Sequence, residues 1–153
     1  VKRAPDNGAV LLLSWLEKLV ETCDRVSSRR SDLPSHLQTG RRGERAAFFY
    51  LRRNGFVVTA RGWRSGVARG DLDLVAWEGE TICFIEVKTR TTRAVATAEA
   101  SVDEHKQKTL LRLARQYLRQ LPDENVSVRF DILSIYFEAG KTAEFELFRG
   151  AFG

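Results

Sequence analysis

Apolar residues recur along the chain with two different periods, and the switching between them predicts the order of elements. Ala9–Thr22 (AVLLLSWLEKLVET) sets Glu17, Lys18 and Glu21 off an apolar stripe and reads as an amphipathic helix. A polar stretch, Ser27–Thr39, follows with the composition of a linker. Arg41–Asn54 returns to helical spacing and stops at Asn54-Gly55, a pair suited to ending a helix. Phe56–Arg61 (FVVTAR) is β-branched and strand-like. Asp71–Trp77 and Thr81–Arg90 read as two strands around Glu78-Gly79, a hairpin signal. Asp103–Leu121 has the strongest helical pattern, with Leu110, Leu113, Ala114, Tyr117, Leu118 and Leu121 on one face. Val126–Phe137 and Ala143–Phe148 close the chain as two more strands. This order predicts an α/β fold: a mixed central sheet flanked by helices, with an extra helix at the N-terminal side. Residues 1–38 are expected to form a helical extension and linker, and residues 39–153 the domain proper.

Length and composition bear this out as an ordinary globular balance. The 153 residues are 43% hydrophobic and 29% charged, enough to build one buried core. No apolar run approaches the roughly 18 residues that a membrane-spanning helix needs. Lys2 and Arg3 ahead of the first apolar run resemble a secretory leader, yet no small-residue cleavage site follows. That segment is therefore expected to dock on the body or on a protein partner. Two cysteines, Cys23 and Cys83, and two histidines, His36 and His105, share no metal-ligand spacing, so neither a zinc site nor a disulfide scaffold is expected. A reducing, cytoplasmic setting fits this cysteine usage.

Charge sharpens the picture when it is divided along the chain. Residues 40–69 carry eight arginines and one acid, Glu44, for a net +7, and residues 106–129 carry a net +4. Between them, residues 70–105 carry eight acids against three bases, a net −5. Two basic blocks flanking an acidic middle suit a polyanionic partner, because Lys and Arg clusters displace the counterions condensed on phosphates. Arg41, Arg45, Arg64 and Lys106 are the candidate nucleic-acid contacts. The plain competing reading is a solvated charged face, such as the stripe Lys108, Arg112, Arg115 and Arg119 opposite the apolar face of its helix.

The acidic middle holds the candidate chemistry. Side chains alternate along a strand, so Asp71 and Asp73 share one face, and Glu86 and Lys88 share a face on the return strand. With Glu78-Gly79 as a two-residue loop, Trp77 pairs with Glu80, Glu86 faces Asp71, and Asp73 is its diagonal neighbour at roughly 7–8 Å. Carboxylates gathered on one face repel unless a cation neutralises them. Hard oxygen ligands suit Mg²⁺, with Mn²⁺ as its substitute, and such ions commonly use one or two carboxylates plus a substrate phosphate. Glu44 is placed by helical spacing on the face of Ala47, Phe48 and Leu51, pointing the one acid of a basic block inward. Lys106 falls at the edge of its helix's apolar face, near the helix start, within reach of the sheet.

Several of these segments resemble a known family. Gly43-Glu44 in a helix, Gly70-Asp71-Leu72-Asp73-Leu74, Phe84-Ile85-Glu86-Val87-Lys88-Thr89-Arg90, Lys106-Gln107 and Arg129-Phe130-Asp131 look like the YraN family of predicted endonucleases. That family is similar to archaeal Holliday junction resolvases within the PD-(D/E)XK nucleases. The resemblance covers roughly residues 39–137 and implies a restriction-endonuclease-like fold. It implies Asp73 and Glu86 as metal ligands with the Val87 carbonyl, Lys88 as the catalytic lysine and Glu44 as an additional helix carboxylate. The expected activity is metal-dependent hydrolysis of DNA, with branched or flapped substrates in view and a homodimer suggested by the related resolvases. The alternative is a non-catalytic nucleic-acid-binding or adaptor module that keeps the fold.

Overall fold

Helix α1 (Ser35–Arg53) ends where its backbone can be satisfied without continuing the helix. Asn54 donates from its side-chain amide to the Tyr50 carbonyl at 2.8 Å. Gly55 then takes a left-handed φ of 85°, and Phe56 N–H reaches back to the Leu51 carbonyl at 3.0 Å. That is the glycine-terminated reversal in which the residue after the glycine packs against the last turn. Phe56 and Leu51 are accordingly buried in the same cluster. The computed structural model that shows this describes residues 35–91, 102–122 and 126–153. The expected helix Ala9–Thr22 and most of the extension lie outside them. The linker expected up to Thr39 is corrected at its end, since α1 starts at Ser35. Polar residues continue a helix as readily as they fill a linker once no proline interrupts them, and none follows Pro34 in α1.

Five strands follow: β1 (Val57–Trp63), β2 (Leu72–Glu78), β3 (Thr81–Arg90), β4 (Ser127–Tyr136) and β5 (Glu144–Phe152). Helix α2 (Glu104–Leu118) lies between β3 and β4. The strands lie in chain order in one sheet. The β3–β4 pair is parallel, and every other pair is antiparallel. The sheet is thus mixed, as the pattern predicted.

Each helix covers one face. Ala47 and Leu51 of α1 bury against Leu74, Ala76, Cys83, Ile85, Leu133 and Ile135. Leu110, Leu113 and Ala114 of α2 bury against Val75, Ile82, Phe84, Phe130 and Ile132 on the other side. Strand alternation sorts the residues this way, and burying each large aliphatic side chain contributes about 1.5–3 kcal/mol. Asp103 caps α2 by accepting from the Lys106 N–H at 2.8 Å, which fixes the helix start and puts Lys106 in its first turn.

The hairpin register differs from the expected one. Glu78 pairs with Thr81, so Gly79-Glu80 forms the loop. Gly79 has a φ of 62° and no residue other than glycine has positive φ among those described. A two-residue turn with only its first position left-handed requires glycine there, which fixes Gly79 as the first loop residue. Pairing slides by two residues, so the paired side chains from Leu74 to Glu78 keep their faces but change their partners.

At this hairpin end an ionic network built around one buried carboxylate ties the strands together. Asp131 is fully buried and accepts from Arg129 Nε at 2.8 Å and from the Gly150 N–H at 2.9 Å. Arg129 also donates to Glu78 at 2.6 Å, and Arg149 donates to the same carboxylate at 2.9 Å. Hydrogen bonds from Arg149 lead, against some burial, in holding the Glu78 carboxyl below its ordinary range, with Arg129 adding to them.

Candidate metal centre

The opposite end of the hairpin opens into a cleft of about 490 Å³ between α1 and the sheet. Glu44 comes from α1, Asp73 from β2, and Glu86, Val87 and Lys88 from β3, and all five line it. Asp73 lies one residue before the Leu74–Ile85 pair, where the β2–β3 pairing ends. Asp73 Oδ2 accepts from the Val87 N–H at 2.8 Å, which anchors the carboxylate across the two strands. Asp71 stays at the margin instead, 3.5 Å from Arg64 and 37% exposed, and does not line the cleft.

Glycine sets how closely α1 approaches. A Cβ on Gly43 would stand 1.9 Å from Thr89 Oγ1, so only the bare backbone lets the helix meet the end of β3. Glycine inside a helix costs about 1 kcal/mol relative to alanine, and here close contact is what it provides. The neighbouring Glu44 is thereby delivered to the cleft. Thr89 is a site residue that the sequence reading missed, and the helix-interior glycine was its one signal.

Two ammonium groups meet the buried carboxylate. Lys88 Nζ lies 2.9 Å from Glu86 Oε1, and Lys106 Nζ lies 3.2 Å from Glu86 Oε2. Glu86 is only 5% exposed. The Lys106 contact is an ion pair off the line of a hydrogen bond, so Glu86 Oε2 has no hydrogen-bond partner. Burial, followed by the charge of Glu86, pushes Asp73 up to about 7 against the opposing pull of the Val87 N–H and Lys106. Burial alone would lower Lys106, but the charges of Glu86 and Asp73 outweigh it and hold the group above its ordinary value.

These residues fit a small divalent cation. A buried carboxylate oxygen held by an ion pair alone, beside a carboxyl pushed up by burial and then by Glu86, is a site that added positive charge would stabilise. All donors are hard oxygens. Among the described residues no three acidic, imidazole or thiol side chains form a complete cage by themselves. Two carboxylates and a cleft with room for water and phosphate match the habits of Mg²⁺ better than those of a fully caged ion.

The remaining candidates are dispersed. Arg41 is exposed on α1 and Arg45 half-buried. Arg64 belongs to a second cavity of about 280 Å³, with Trp63, Gln116 and Arg119. Lys108, Arg112, Arg115 and Arg119 all lie exposed along the outer side of α2. Cys83 is free and buried in the sheet, where burial and then the charge of Asp131 push its thiol up to about 11, so it reads as core. Among the described residues no helix is long and apolar enough to cross a membrane.

A family model, the uncharacterised protein family UPF0102, matches residues 43–135. The chain belongs to the UPF0102 family. The UPF0102 match begins at Gly43 and spans Glu44, Asp73, Glu86, Lys88 and Lys106, so it encloses every charged group of the cleft. This is the YraN family that the motifs resembled. A UPF0102 protein of Koribacter versatilis is 50% identical over 121 residues, covering 79% of this chain and 83% of its own. Another from Solibacter usitatus is 39% identical over 134 residues, covering 88% of this chain and 97% of its own. A solved structure of Hjc, a Holliday junction resolvase of Archaeoglobus fulgidus, aligns with a TM-score of 0.43 and 23% identity, over 71% of this chain and 73% of that one.

Proposed function

We propose that the cleft is the active site of a divalent-metal-dependent endonuclease that hydrolyses phosphodiester bonds in DNA, branched or flapped forms being its substrates, and that residues 39–153 form its domain. The observation that carries this reading is the half-buried Asp73 and the buried Glu86 lining one cleft, with Lys88 at 2.9 Å from Glu86. Asp73, Glu86 and the Val87 carbonyl would hold Mg²⁺ or Mn²⁺. Once bound, the ion supplies positive charge toward a phosphoryl oxygen and acidifies water.

The chain's own groups do the rest. The Val87 N–H fixes the Asp73 carboxylate by holding one of its oxygens. Lys88 places an ammonium beside the carboxylates, where it can offset charge growing on the scissile phosphate. Glu44 reaches the cleft from the other side and can orient an attacking water by accepting its hydrogen bond. The exposed basic stripe of α2 favours a second reading, a module that binds DNA without cutting it.

One assay separates the two. Branched, single-stranded and duplex DNA are incubated with the protein in Mg²⁺ or Mn²⁺, beside the Asp73→Ala, Glu86→Ala double variant. Cleavage by the wild type above the variant is expected. Salt-sensitive binding that survives Lys88→Ala, with no product from either protein, would establish the non-catalytic reading instead.

A further inference from the structure

The strongest unexplained feature of the cleft is that Glu86 is shared by two lysines of different standing. Lys88 belongs to the same strand as Glu86 and holds Oε1 with a well-formed hydrogen bond at 2.9 Å. Lys106 arrives from the first turn of α2, approaches Oε2 to 3.2 Å, and completes no hydrogen bond with it. A lysine at a helix start also faces the positive end of the helix dipole. Its place there is held by carboxylate charge, and its side chain is the more exposed of the two, at 34% against 27%.

We propose that Lys106 is an exchangeable counter-cation: it occupies the second oxygen of Glu86 until a divalent ion takes that oxygen, and is then released to grip a phosphate of the DNA strand entering the cleft. This rests on the metal-centre reading above. Once a doubly charged ion neutralises Glu86 and Asp73, the two carboxylates that most hold the Lys106 charge against burial and the helix dipole no longer do so, and the ammonium turns outward. The nearest chemistry that suits it is a phosphodiester oxygen. Metal loading and strand binding are thereby coupled, and by linkage each strengthens the other. Lys106 is a substrate-binding residue in this scheme: it holds a phosphate once the ion has displaced it from Glu86.

The test measures binding, not turnover. Free Mn²⁺ is titrated against wild type, Lys106→Met and Lys106→Arg by electron paramagnetic resonance. Removing a competing charge at contact distance is expected to tighten Mn²⁺ binding by about tenfold in Lys106→Met, while Lys106→Arg stays within about threefold of wild type. The Mn²⁺-induced rise in melting temperature should likewise be larger in Lys106→Met, which checks that the variant is folded. DNA binding is then followed against salt, with Ca²⁺ or with EDTA. Wild type should show a salt slope steeper by about one in Ca²⁺ than in EDTA, and Lys106→Met should lack that increment. If wild type binds Mn²⁺ and Lys106→Met binds it equally or more weakly, the exchange is wrong while the metal centre stands. If none of the three proteins binds Mn²⁺, the metal centre itself falls and the exchange with it.

Discussion

Replacing Asp73 by asparagine should make the metal-free protein more stable while removing its capacity for a divalent ion. The Asp73 carboxyl titrates at about 7 in the fold against 3.8 ordinarily, raised first by burial and then by Glu86. Between those values the folded state holds a proton that the unfolded chain has lost. Stability therefore falls as pH rises through this window, and the full penalty applies above it. A shift of about three units corresponds to a ceiling of about 4 kcal/mol. Asparagine cannot ionise, and its carbonyl oxygen can still accept from the Val87 N–H. Part of the gain is given back because Lys106 loses an attractive neighbour. The net expectation is about 1–3 kcal/mol at pH 8, or about 3–10 °C in melting temperature for a chain of this length. Thermal unfolding in EDTA at pH 8 and pH 5 measures it, followed by repetition in Mn²⁺. At pH 5 folded Asp73 is protonated but its unfolded counterpart, at 3.8, has already ionised, so the difference should shrink to less than half of its value at pH 8. In Mn²⁺ only the wild type should gain. An Asp73→Asn protein no more stable than wild type at pH 8, or a difference that ignores pH, would refute the idea that like charge is concentrated at this site.

Two further predictions concern the scaffold. Gly43→Ala forces a methyl group against Thr89 and should lower stability by about 1–3 kcal/mol in chemical denaturation, with most of the loss recovered in a Gly43→Ala, Thr89→Ala double variant. Asp131→Ala removes the buried acceptor of Arg129 and the Gly150 N–H at the far end of the sheet, while Glu78 still holds Arg129, and should lower stability by about 1.5–3 kcal/mol. In calorimetric titration at a temperature where that variant remains folded, its Mn²⁺ affinity should match the wild type.

Much of this arrangement was legible because periodicity constrains faces more tightly than it constrains partners. The alternation in β2 and β3 put Asp73, Glu86 and Lys88 on one side whichever even-numbered turn joined them. The choice between Glu78-Gly79 and Gly79-Glu80 depended on which loop position needs a left-handed backbone, and composition does not encode that directly. Asp71 is expected opposite Glu86, but the pairing ends at Leu74–Ile85, Asp73 is the residue tied to β3 through the Val87 N–H, and Asp71 lies beside Arg64. Helical spacing carried Lys106 to the sheet correctly, because its distance from the apolar stripe of α2 is a local property. The contact between Gly43 and Thr89 was out of reach, since it depends on how α1 docks. Arg129 and Asp131 were noticed as a motif, but only the fold shows that they brace the end of the sheet away from the cleft.

The two ends of the sheet use the same vocabulary of acids and bases to opposite effect. Around Asp131 the donors and acceptors answer one another, and the joint behaves as a weld. Around Glu86 the account is left open by one oxygen atom. Damage to the weld should therefore show itself as protein lost from the cell. Damage at the open end should leave abundant, well-behaved protein that does nothing, and a screen scoring abundance and phenotype together would map the border between them along β3.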